Sequence, residues 1–265
     1  MEILKTFYVI WHGPIEPSSL THSDLRPTPI PWSIAPRLFL ALWTRERRSF
    51  REDARRAVGK LKPPLKIFGS PVVDRRCLLT VNHYSRRGFQ AWWIALAVSS
   101  ATPWDIHWVI TAAWRYPDRL RSWLITPTSR WVLQRIARIY NFTIMPPMPP
   151  KPDETLARAN AVRDVIRHFK QHHCFLVGLA PEGGDFAAAG EVAELPKGTG
   201  RFALLLSGLG MDIQPVGIYE EQGLCVRFGQ PYHLTPPQGL NADARDEWAR
   251  CILREKILAQ LPEKT

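Results

Sequence analysis

Cysteine is scarce in this chain. There are four among 265 residues, at Cys77, Cys174, Cys225 and Cys251, and no two form a CxxC pair. That scatter excludes a disulfide framework and suits reduced thiols in a cytosolic compartment. Nucleotide-binding signatures are missing too: there is no P-loop and no GxGxxG. No GxSxG elbow supplies a hydrolase serine. No internal repeat or long low-complexity segment occurs. No apolar run is long enough to cross a bilayer, since MEILKTFYVIW is broken by His12, Gly13 and Pro14, well short of the roughly 20 residues needed. It has neither a basic leader nor a small-residue cleavage site, so a signal peptide is not expected.

Acidic residues are outnumbered, with 24 Asp and Glu against 35 Lys and Arg and a formal charge of +11. A balance of this kind favours an anionic partner. From Arg45 to Lys62 there are eight basic residues against three acids, directly after the apolar, Trp-containing PWSIAPRLFLALW of Pro31 to Trp43. Such a pair of segments has the composition of an interfacial element on an anionic membrane surface. An amphipathic helix packed on its own protein has the same periodicity. Nucleic acid is not the expected partner: Trp92, Trp93, Trp104, Trp108, Trp114, Trp123 and Trp131 fall inside expected elements, where core or groove lining is their ordinary use. His168, His172, His173 and Cys174 read as a histidine-rich helix end, and no metal is expected.

Hydrophobic periodicity gives alternating elements. A proline-rich arm covers 14–30 and a helix, broken or not, 33–59. Strands are expected at 65–69, 77–81, 106–112, 142–145, 174–180, 213–219 and 224–228. Helices fall at about 88–100, 119–139 with a break at Pro127, 153–171, 199–209 and 242–261. Leu156, Ala159, Val162, Ile166 and Phe169 mark the inward face of the helix at 153–171. The expected fold is α/β, a single-domain sandwich of a mixed, largely parallel sheet flanked by helices. Residues 1–62 make an N-terminal arm and amphipathic helical segment, and 63–265 the α/β domain.

In open α/β sheets chemistry collects beyond the strand ends. Two loops carry suitable groups. Asn82-His83 follows the strand 77–81, and Pro181-Glu182-Gly183-Gly184 follows the strand 174–180. A histidine at such a junction is placed to act as a base, and it ordinarily needs a carboxylate to hold its ring. Paired glycines let a backbone turn sharply or approach a ligand.

Four stretches, VNHYSRRG at 81–88, LAPEGGDF at 179–186, LPKGTGRFALLLSG at 195–208 and DIQPVGIY at 212–219, together resemble the glycerolipid acyltransferases of the 1-acylglycerol-3-phosphate acyltransferase type. The resemblance spans roughly residues 65 to 230. It implies transfer of a fatty acyl group from acyl-CoA or acyl carrier protein to the hydroxyl of a lipid-like alcohol, with no cofactor beyond that co-substrate. His83 is then the general base. Asn82, Glu182, Gly183 and Gly184 are candidates for holding the acceptor, and Lys197 and Arg201 for meeting donor phosphates. The enzyme would work peripherally on the cytoplasmic face of a membrane. The sequence departs from the family in three places. The family's NHxxxxD aspartate falls on Gly88, the Thr-Arg-Ser after the Glu-Gly becomes Gly184-Asp185-Phe186, and the arginine motif expected near 139–147 is missing. Arg135, Arg138 and Arg201 are the cations that could replace it. Glu182 and Asp105 are the carboxylates that could replace the aspartate. A catalytically weak relative that binds lipid or a partner is the alternative.

Overall fold

The apolar run Cys77–Val81 sets the architecture. All five of its residues are buried, and it forms a strand, β2, with parallel neighbours on both sides. A strand flanked and covered in this way has no solvent face, so it need not alternate in polarity. Even so its side chains divide by twos: Cys77, Leu79 and Val81 join one core, and Leu78 the other.

A computed structural model of the chain describes residues 35–44, 46–86, 88–114, 119–148, 151–171, 176–184 and 191–262. The expected proline-rich arm and the opening apolar stretch lie outside these. Among the described residues the helices are α1 (Ala35–Thr44), α2 (Phe50–Val58), α3 (Trp92–Ala101), α4 (Arg119–Tyr140), α5 (Thr155–Gln171), α6 (Thr199–Gly208) and α7 (Ala242–Leu258). The remaining strands are β1 (Lys66–Phe68), β3 (Ile106–Thr111), β4 (Thr143–Met145), β5 (Leu176–Leu179), β6 (Asp212–Glu220) and β7 (Leu224–Phe228). They build one seven-stranded sheet in the order β1-β7-β6-β2-β5-β3-β4. Only β6 and β7 pair antiparallel. Their hairpin turns through Gln222 and Gly223, both at positive φ, as tight hairpins require. The mixed, largely parallel α/β sandwich expected from the sequence is the fold observed.

Each face of the sheet carries its own core. On one side Ala54, Ala57 and Val58 of α2 and Trp93, Ala97 and Val98 of α3 pack on Leu79, Val81, Val216 and Ile218. On the other, Val165 and Phe169 of α5, Ala203 and Leu206 of α6, and Ala249, Leu253 and Ile257 of α7 cover Leu78, Val177 and Ile213. A third, smaller cluster joins Ala41 of α1 to Ile139 and Tyr140 of α4.

Several expectations are corrected. Because α2 contributes to the main core, residue 62 does not mark a boundary between an appended segment and the domain. Part of the basic run is spent inward, while Arg47, Lys60 and Lys62 stay exposed. Arg48 forms a two-point pair with the buried Asp53 carboxylate at 2.8 and 2.6 Å, Arg51 reaches the Pro103 carbonyl, and Arg55 donates to the Ser100 and Thr102 carbonyls. Tyr140 completes the Asp53 shell at 2.8 Å. The helix 119–140 continues through Pro127, which lies on an exposed face where one lost backbone hydrogen bond costs least. The inward face of α5 is Ala161, Val165 and Phe169, whereas Leu156 is exposed. Trp93 and Trp108 are core residues, but Trp104, Trp123 and Trp131 are on the surface.

Candidate functional site

Parallel pairing of β2 with β5 and β6 brings three strand ends to one rim. Asn82 is the first residue beyond β2. Its side chain continues the ladder that the backbone has left: Asn82 Nδ2 donates to the Ile218 carbonyl at 2.9 Å, and Ile218 N donates to Asn82 Oδ1 at 2.6 Å. Both polar atoms are consumed and the residue is buried. Asn82 therefore fixes where the chain leaves the sheet, and is corrected from an acceptor-binding role to a structural one.

His83 follows immediately and is half-buried, with Nδ1 fully inside. Its backbone N–H donates to Glu182 Oε1 at 2.6 Å, across 99 positions of sequence. The second oxygen of the same carboxylate accepts from Ala193 N at 2.8 Å. Glu182 is wholly buried. It acts as a tether among the histidine loop, its own Pro-Glu-Gly-Gly turn and the segment leading to α6. Burial raises its carboxyl above the ordinary glutamate range, opposed by the two amides and by the nearby charges of His83 and Arg254. Hydrogen bonds to an ionised group are among the stronger ones. With both oxygens on backbone amides inside the protein, Glu182 is corrected from a group that grips an acceptor hydroxyl to one that holds the site together.

The two glycines beside it serve the turn. Gly183 has φ +75°, and a Cβ there would come within 2.8 Å of Met148 Cγ. The left-handed backbone and the close cover by the 146–148 connection both call for glycine. Gly184 is half-buried beside it, and the residues that follow, Asp185 to Gly190, lie outside the described part of the chain.

Three residues after His83, the loop is pinned a second time. Arg86 makes a two-point pair with Glu220 at the end of β6, through Nε to Oε2 and through Nη2 to Oε1 at 2.7 Å. Tyr84 donates to Glu220 Oε2 at 3.0 Å. Arg86 and Glu220 are both nearly buried. Burial, then the Glu220 charge, pushes the Tyr84 hydroxyl well above its ordinary range. Neither Tyr84, Arg86 nor Glu220 stands out in the sequence as a site residue. The signal is nonetheless there, because Glu220 ends the β-strand that carries Pro-Val and Arg86 belongs to the histidine stretch.

The substitutes for the family's aspartate fare differently. Gly88 does not sit one turn into a helix, because α3 begins only at Trp92; it lies in a turn at φ +80°. Asp105 precedes β3 and so lies at the opposite rim. There it accepts from Ser49 Oγ at 3.0 Å and Arg51 N at 2.9 Å, capping the start of α2. Asp105 is therefore ruled out as a partner of His83. Glu182 remains close to the imidazole, and its charge can stabilise an imidazolium.

Lys197 and Arg201 flank the N-terminus of α6 and are exposed. Arg201 pairs with Asp243. The helix start is capped from α7, where the Asp246 carboxylate accepts from Gly198 N at 3.0 Å and Arg201 N at 2.8 Å. Arg250 and Arg254 of α7 hold the carbonyls of Leu195 and Val192, each at 2.9 Å. Through this stapled segment, Lys197 is linked to Ala193 and hence to Glu182. Arg135 is spent on the Leu42 carbonyl at 2.7 Å. Among the described residues there is no group of three or more His, Cys, Asp or Glu that could hold a metal; His172, His173 and Cys174 lie outside them. Compared with known proteins, the chain matches no family model and no curated protein.

Proposed function

We propose that the protein transfers an acyl group from a thioester, carried on CoA or acyl carrier protein, to the hydroxyl of a lipid-like alcohol, with His83 as general base. The observation that carries this reading is the 2.6 Å bond between the His83 backbone and the Glu182 carboxylate. It joins the two loops that the chemistry would need at one strand-end rim.

The step balances as follows. Neutral His83 takes the proton of the acceptor hydroxyl. The alkoxide oxygen forms a bond to the thioester carbonyl carbon, the carbon–sulfur bond breaks, and the imidazolium returns the proton to the leaving thiolate. Glu182 supplies negative charge beside the imidazolium, and the Arg86–Glu220 pair and Asn82 keep the histidine loop from shifting. Lys197, exposed just before α6, would meet a phosphate of the donor carrier.

One observation favours a second reading, a catalytically weak protein that binds lipid or a partner: Gly88 supplies no carboxylate at the position where the resemblance expects one. Incubation with labelled acyl-CoA, or labelled acyl carrier protein, and a lipid-alcohol extract tests both. Labelled ester is expected from the native chain and none from His83→Ala. Saturable binding of the alcohol without ester from either would favour the second reading.

A further inference from the structure

Among the described residues, nearly half of the exposed large apolar side chains lie on the α1–α4 pair. Phe39, Leu40 and Trp43 of α1 are 73%, 59% and 79% exposed, and Trp123, Leu124 and Trp131 of α4 are 74%, 52% and 49% exposed. Large apolar side chains concentrated in this way are not a feature of an ordinary solvated face. On α4 they follow helical spacing, with Trp123, Pro127, Trp131 and Gln134 along one exposed stripe.

Charge decides what fits there. The sequences APRLFLALWT and RLRSWLITPTSRWVLQRIARIY contain no acidic residue. Arg37, Arg130 and Arg138 are exposed on them. Arg135 links the two helices, lying 5.0 Å over the Trp131 ring while it donates to the Leu42 carbonyl. A shallow hollow of about 240 Å³, lined by Thr126, Pro127, Arg130, Trp131 and Gln134, opens on the same stripe. Tryptophan at an apolar–polar boundary, flanked by arginine and free of acids, is the composition that anionic bilayer surfaces select. A second copy of this acid-free surface would bring arginine against arginine.

We infer that the α1–α4 surface, and not the basic run of α2, is the part of the protein that lies on an anionic lipid membrane. No helix among the described residues is long and apolar enough to cross one, so the contact is made in the plane of the interface. Its position suits the rim chemistry. Trp114, three residues past the end of β3, is held to the middle of α4 by Thr126 Oγ1 at 2.9 Å and Ser129 Oγ at 3.1 Å. Residues 123–131 therefore stand level with the strand-end rim that carries His83.

The inference deepens the membrane part of the proposed function and rests on it, but vesicle binding is read without any acyl transfer, so either can fail alone. The experiment is sedimentation of the full chain with vesicles of phosphatidylcholine, and with vesicles containing roughly one-third phosphatidylglycerol. Binding is expected on the anionic vesicles, weakening as salt is raised. Trp43→Ser with Trp131→Ser, and separately Arg130→Glu with Arg138→Glu, should each weaken it by about tenfold or more. All four side chains are exposed, so an unchanged thermal melt is expected to accompany the loss. Charge reversal at the exposed Arg47, beside α2, should weaken binding far less than the α4 pair. Equal binding by native and variant chains overturns the assignment. So does equal binding to neutral and anionic vesicles. A dimer that the tryptophan variants abolish, with no vesicle binding by the native chain, overturns it in favour of self-association.

Discussion

Glu182 is the residue on which the rim depends. Its two oxygens hold amides of two different loops, yet the same burial makes its ionised form expensive. The folded carboxyl keeps its proton to a higher pH than the unfolded one. Its contribution to stability is thus complete below the unfolded value, near 4.5, and is lost as pH rises through the raised folded value. Glu182→Gln cannot titrate, and its amide nitrogen cannot accept from the backbone N–H it faces, so one of the two bonds is lost at every pH. Thermal melts across the acidic range should show the variant less stable throughout, with only the native curve carrying this fall. Parallel curves would mean that Glu182 does not titrate differently in the fold. Gly88 is the second decisive residue. Aspartate tolerates the left-handed region better than most residues, but Gly88→Asp should still cost about 1 kcal/mol in a denaturant melt. Any gain in transfer rate that it brings should vanish when His83→Ala is added.

Among the elements, the β2–β6 pair determines where the histidine emerges, and Asn82 extends that pair by one rung made of side-chain atoms. Asn82→Ala strands a buried N–H and a buried carbonyl of Ile218. The expected loss is about 2–4 kcal/mol of folding stability, measured by denaturant titration, together with a drop in any activity that needs His83 in register. A loss of under about 0.5 kcal/mol would show that water or a backbone shift replaces the rung. The strands were legible because short, largely apolar runs between polar or turn-forming residues have few other uses. Helix α2 was legible as a helix but not in its role, since a face packed on a sheet and a face laid on lipid share one periodicity. What separated them was the position of Asp53, Pro103 and Thr102 in space, which pairs the arginines inward. The break expected at Pro127 does not occur, because on the exposed face of α4 the lost backbone bond costs little.

Across the whole molecule, the excess of 11 positive charges is distributed unevenly. Arg51 and Arg55 of α2 are spent on carbonyls beside α3, Arg250 and Arg254 of α7 staple the loop before α6, and the acid-free α1–α4 pair presents a basic, tryptophan-bearing surface. That distribution could not be read from the sequence, because no run of charge marks α4. The pairing of the histidine loop with the Glu-Gly-Gly loop was legible from the order of strands and loops. The Tyr84–Arg86–Glu220 lock and the tethering role of Glu182 were not, since both depend on which strand ends become neighbours.

The proposed role of His83, held at this rim, is to deprotonate a lipid alcohol for acyl transfer. Its most direct test is the initial rate of labelled ester formation on anionic vesicles, comparing native chain with His83→Ala at equal amounts of bound, folded protein. General-base removal is expected to lower the rate by roughly 100-fold or more, with vesicle binding unchanged. Equal rates for the two proteins would contradict the assignment of His83, and no ester from the native chain with either thioester donor would contradict acyl transfer itself.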